Sequence, residues 1–146
     1  MQNHNIRTVF LTILLLQLSF FSCKNNNNNP IPDVFVDIEI DLNNPDFYSL
    51  QAVGNYEYIT GGVNGIILYR KSFDEFMAFE RTCPHDPEIG IVTVDAERHT
   101  AVDSIACGSE FSLLIDGAVT KGPSGFPLKF YKVVYNNQLQ VLRITN

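Results

Sequence analysis

From Val34 to the C-terminus the hydrophobic pattern repeats every two residues, and this constrains the fold more than any other feature of the chain. Val36, Ile38, Ile40 and Leu42 alternate with Asp37, Glu39 and Asp41. In an extended strand that order puts the apolar side chains on one face and the carboxylates on the other. Similar reasoning predicts strands at 56–59, 66–70, 76–80, 91–94, 100–106, 111–115, 118–121, 129–135 and 138–144. Turn chemistry separates them: Gly61-Gly62, Asn64-Gly65, Ser72 to Asp74, Asp95 to His99, Asp116-Gly117 and Asn136-Asn137. Asp116-Gly117 is the strongest of these signals, because a tight hairpin turn needs positive φ. No stretch holds a helical stripe for three turns. Short strands at this spacing predict an all-β domain, an antiparallel β-sandwich or open barrel. Phe73, Phe76 and Phe79 are expected in its core.

The N-terminus is of another kind. Arg7 precedes an apolar run at 9–21 that Thr12, Gln17 and Ser19 interrupt. The run is shorter than the ~20 residues of a spanning helix and reads as a signal sequence, 1–22. Ser22-Cys23 sets a small residue before a cysteine, as at a bacterial lipoprotein cleavage site, so Cys23 is the expected lipidation position. Lys24, five asparagines, Pro30 and Pro32 follow, a composition that buries nothing. Residues 23–33 are therefore a lipidated cysteine and tether, and 34–146 the single domain. The expected location is the bacterial cell envelope, on a membrane through the lipid anchor. Sixteen acidic residues against ten basic ones give a net charge of −6. No cluster of Lys and Arg supplies the basic stripe that nucleic acid requires, which excludes that partner.

Most of the chemistry falls in two segments, Thr82-Cys83-Pro84-His85-Asp86-Pro87-Glu88 and Ser104-Ile105-Ala106-Cys107-Gly108-Ser109-Glu110-Phe111. A third, Gly122-Pro123-Ser124-Gly125-Phe126-Pro127-Leu128, is stiff by composition. In this order they resemble the Rieske iron–sulfur domain. That family has Cys-x-His on one loop, Cys-x-x-His continuing into Gly-Ser-x-Phe on a second, and a proline loop over the cluster. Cys83-Pro84-His85 matches the first loop, Gly108-Ser109-Glu110-Phe111 the continuation of the second, and Gly122-Pro123 with Pro127-Leu128 and Tyr131 the third. The resemblance covers residues 80–134 and implies a Rieske-like fold with a small cluster-binding subdomain at 82–124. It also implies one-electron transfer in the envelope, to a redox or structural protein, with no enzymatic activity of the domain's own.

Aligning on Gly108-Ser109 makes the four ligand positions Cys83, His85, Ser104 and Cys107, where the family has Cys, His, Cys and His. A Rieske centre holds one iron by two thiolates and the other by two imidazoles. Serine is a poor ligand, and the extra thiolate would lower the potential. Three readings follow for the loops. An altered [2Fe–2S] centre could use Cys83, His85 and Cys107, with Ser104 or Asp103 as fourth ligand. The same three could hold a tetrahedral zinc. Or no metal binds, and Cys83 and Cys107 form a disulfide in an oxidising compartment. Closing that loop of about 25 residues would stabilise the fold by about 3.5 kcal/mol in the chain-entropy account. The resemblance further makes Ser109 a hydrogen-bond donor to the centre and Tyr131 a neighbour of its ligands. Asp86 and Glu88 read as an acidic surface rim and His99 as a solvent-exposed turn residue. Ser104 and Ser109 lack a histidine base at a recognisable motif, which leaves serine-hydrolase chemistry unsupported.

Overall fold

The computed structural model describes residues 29–146. The expected signal sequence, the expected lipidation position Cys23 and residues 24–28 of the expected tether lie outside the described residues. Among those described, no helix is long and apolar enough to cross a membrane.

The domain is all-β. Its strands are β1 (Asp37–Asp41), β2 (Tyr56–Ile59), β3 (Ile66–Arg70), β4 (Phe76–Glu80), β5 (Thr93–Asp95), β6 (Thr100–Val102), β7 (Glu110–Ser112), β8 (Ala118–Lys121), β9 (Phe130–Asn136) and β10 (Val141–Thr145). Six of them form an antiparallel sheet in the order β1-β10-β9-β4-β3-β2, curled into a half-barrel. The other four form a small antiparallel sheet, β5-β6-β7-β8, which lies within the segment 82–124.

The alternation read in β1 is realised: Val36, Ile40 and Leu42 are buried, and Asp37, Glu39 and Asp41 are exposed. In β3 alternation fails for a different reason. All five residues are buried, because the strand is covered on both faces. Ile66 and Leu68 join the core inside the half-barrel with Ile40, Leu50, Phe76 and Leu142. Ile67 and Tyr69 join a second core with Phe79, Cys83, Val92, Ala101 and Phe111, between the large sheet and the small one. The first site cysteine is thus part of the layer that holds the two sheets together.

Several sequence expectations need correction. Residues 45–51 form a short 3-10 helix, Pro45–Gln51, where no helix was expected. Asn44 caps it by accepting the Asp46 N–H, and Pro45 starts it. Buried Arg70 satisfies its last carbonyls, donating to Leu50 O at 2.7 Å and Gln51 O at 3.1 Å. Strand β6 ends at Val102 and β7 at Ser112, earlier than the hydrophobic runs suggest. Phe73 is 74% exposed, under the Arg70 guanidinium and not in the core, whereas Phe76 and Phe79 are buried. His99 is half-buried, with Nδ1 3.2 Å from the Tyr69 hydroxyl, and not a free surface residue.

Candidate functional site

Three connections meet beside the small sheet. The first, from β4 to β5, is closed by its own backbone. Cys83 N–H donates to Gly90 O at 2.9 Å, and Gly90 N–H donates to Asp86 O at 2.7 Å. An isolated antiparallel bridge joins Thr82 to Ile91 behind it. Position 90 has no room for a side chain: a Cβ there would lie 2.6 Å from both Cys83 Cβ and Asp103 Oδ2.

The second connection joins β6 to β7 and folds around one carboxylate. Asp103 Oδ1 accepts the N–H of Ala106 at 2.9 Å and of Ile105 at 3.2 Å, a side-chain turn that Asp makes readily. Asp103 N–H donates to Ser109 O, and Gly108 N–H returns to Asp103 O. Gly108 has φ +72°, which lets the chain reverse immediately after Cys107. The third connection joins β8 to β9 through a cis Gly122-Pro123 bond. Its Ser124 N–H donates to Ser109 Oγ at 3.0 Å and fastens the proline loop to the second.

The result is a compact group of two thiols and a carboxylate. Cys83 Sγ and Cys107 Sγ are 3.6 Å apart, and Cys107 Sγ donates to Asp103 Oδ2 at 3.3 Å. Ser109 Oγ is 3.0 Å from Cys107 Sγ. One ligand atom from each of Cys83, Asp103 and Cys107 lies within 4.8 Å of the other two. Cys83 and Asp103 are fully buried, while Cys107 is half-exposed. Both cysteines are free thiols.

Burial pushes the Cys83 thiol up to about 12, although the backbone N–H groups of His85 and Asp86 pull the other way. The Asp103 and Cys107 side chains add to the rise. Burial alone would raise the Asp103 carboxyl too. The N–H of Ala106, the thiols of Cys83 and Cys107 and the N–H of Ile105 outweigh it and hold the carboxyl below its ordinary value. The group at neutral pH is therefore an ionised carboxylate with protonated Cys83 beside it. A neutral, buried Cys83 is a poor nucleophile, so exchange chemistry would begin at the accessible Cys107.

Of the residues the sequence nominated, the structure brings together Cys83, Cys107 and Asp103, and sets Ser109 against Cys107. His85 is exposed and lines a surface cleft with Pro30, Pro32 and Glu88. Ser104 is exposed at the tip of the Asp103 turn. Neither belongs to the group of three. Tyr131 gives its hydroxyl to Glu80 at 2.7 Å inside the half-barrel, a core role. Gly90 and Ser124 escaped sequence reasoning because they contribute a missing side chain and a backbone N–H. The Asp103 role was open to inspection as an aspartate starting a polar turn four residues before a cysteine.

The Cys83–Asp103–Cys107 group can hold a metal ion. A Rieske cluster would also draw on His85 and Ser104, which lie outside this group. That cluster needs two ligand atoms on each of two irons, with bridging sulfides between them. Here the two sulfurs are 3.6 Å apart, and His85 and Ser104 are exposed. No protein-family model matches the chain, and no curated protein matches it.

Proposed function

We propose that this chain is a Rieske-like envelope lipoprotein whose domain works without an iron–sulfur cluster. A Cys83–Cys107 disulfide ties its two site loops, and its role is that of a binding or structural module at the membrane surface. The observation that carries this reading is the approach of one buried and one half-buried sulfur to 3.6 Å, with His85 and Ser104 exposed and outside that group. A disulfide oxidant in the envelope would take two electrons from the thiols as their two protons leave. Cys107 attacks first, being the accessible one, and Cys83 then resolves the mixed disulfide.

Electron transfer through an altered [2Fe–2S] centre on Cys83, His85, Ser104 and Cys107 would require exposed His85 and Ser104 to join the two sulfurs as ligands. Anaerobic reconstitution of the reduced full chain with ferrous iron and sulfide separates the two readings. The cluster-free reading expects no retained acid-labile sulfide and no visible sulfide-to-iron charge-transfer absorption. A stable coloured species containing two irons per chain would overturn it in favour of electron transfer.

A further inference from the structure

We infer that the reduced site binds one thiophilic divalent cation of the zinc class through Cys83, Asp103 and Cys107, and that forming the disulfide expels it. The argument is geometric. A tetrahedral ion with metal–sulfur bonds of about 2.3 Å and metal–oxygen bonds of about 2.1 Å sets its ligands about 3.8 Å (S to S) and about 3.6 Å (S to O) apart. The corresponding separations are 3.6 Å between the sulfurs and 3.3 Å from Cys107 Sγ to Asp103 Oδ2. Both fall slightly inside two edges of a single-ion tetrahedron, and the third, from Cys83 to Asp103, lies within 4.8 Å.

Two thiolates and one carboxylate suit zinc, whereas magnesium and calcium select oxygen alone. The ligands are also held in place without an ion. Asp103 is fixed by two backbone N–H groups and by the close approach of Gly90, and Ser109 Oγ touches the Cys107 sulfur while anchored by Ser124. Cys107 is half-exposed, which gives a cation a way in, and a water would complete its four ligands. This set differs from the four positions that the Rieske resemblance nominates, since it uses Asp103 and omits His85 and Ser104.

Binding exchanges two thiol protons for one cation. Expulsion is thiol–disulfide exchange: the two thiolates give two electrons to a disulfide oxidant, which takes two protons from water and leaves as two thiols, Cys83 and Cys107 become joined, and the ion departs because its two sulfur ligands no longer carry charge. The binding half stands on the geometry alone; the expulsion half rests on the disulfide reading above.

The test uses the full chain carrying Cys23→Ser, so that Cys83 and Cys107 are its only thiols. After reduction with a phosphine it is titrated with cobalt(II) and then zinc. The expected result is one cobalt per chain with an intense near-ultraviolet thiolate band, displaced by zinc. Cys107→Ser abolishes the band, Asp103→Asn weakens zinc binding by about tenfold or more, and Ser104→Ala leaves it unchanged. Adding oxidised glutathione releases one zinc per chain and joins the cysteines. A reduced protein with native circular dichroism and two titratable thiols that takes up no cobalt would overturn the inference and leave the disulfide reading intact. A protein that keeps its zinc and its thiols in oxidised glutathione would overturn the expulsion step and the disulfide reading, but not the site. Retained wild-type affinity in Asp103→Asn would remove Asp103 from the ligand set.

Discussion

Ser109 Oγ lies 3.0 Å from the Ser124 backbone nitrogen, whose N–H it accepts, and also 3.0 Å from the sulfur of Cys107. One buried hydroxyl therefore couples the proline loop to the thiol group. Removing it leaves the Ser124 N–H without its partner in a place that water does not reach. Ser109→Ala should cost about 1–3 kcal/mol, the penalty for stranding a buried donor. Urea denaturation of the full chain checks this, and an unchanged midpoint would mean that the loops are held by other contacts.

Gly117 tests the turn that was plainest in the sequence. Asp116 and Gly117 have φ of +50° and +76°, and a Cβ on Gly117 would sit 2.9 Å from Leu128 Cβ. Gly117→Val forces a β-branched residue into left-handed backbone and crowds the second core. A loss of about 1–3 kcal/mol is expected, read as a lower thermal midpoint.

Glu80 gives a pH dependence. Its carboxylate is fully buried and accepts the N–H of Val63, Asn64 and Thr82, the Thr82 hydroxyl and the Tyr131 hydroxyl. Burial by itself would raise its pKa, but the N–H donors and Tyr131 together bring it below the ordinary 4.5. A group whose folded pKa is depressed contributes stability above its unfolded pKa and loses it as the pH falls through the folded one. Glu80→Gln should therefore be less stable than wild type at pH 7, with the gap narrowing as the pH is taken below about 4. A gap that stays constant from pH 7 to pH 3 would show that the charge of Glu80 is not what the Gly61-to-Gly65 loop depends on.

Strand β1 was legible because one of its faces meets water, so its carboxylates mark the period. Strand β3 was legible as a strand, yet its two-sided burial was not, since that depends on the small sheet folding over it. The paired loops were recognisable from Cys83, Cys107 and Gly108-Ser109, whose residue types and order carry the pattern. Which side chains turn inward was not, because inward and outward are decided by local closure. The Asp103 side chain captures two backbone N–H groups, and the turn it makes leaves Ser104 at the tip. Cys83 is drawn into the second core, and two residues later His85 is at the surface. Pro45–Gln51 was missed because its capping signal is local, while its seven residues are too few to show a stripe.

Gly90 tests how closely the first two loops must approach. Gly90→Ala places a methyl group 2.6 Å from Asp103 Oδ2 and from Cys83 Cβ. One loop must move, at an expected cost of about 1–3 kcal/mol. The separation of the sulfurs should grow with it, so oxidation of the reduced variant by a glutathione buffer should require a higher potential than wild type. An unaltered thiol–disulfide midpoint would indicate that Gly90 does not set the spacing.

The central claim is that Cys83 and Cys107 serve each other and not a dinuclear iron cluster. Its most direct test is mass spectrometry of an unreduced, alkylated proteolytic digest of the full chain, isolated from the cell envelope of an expressing bacterium. The account predicts a linked pair of peptides containing Cys83 and Cys107, lighter by two hydrogens than their sum and separated by reduction. Both cysteines recovered singly alkylated, from protein that carries two irons per chain, would contradict it.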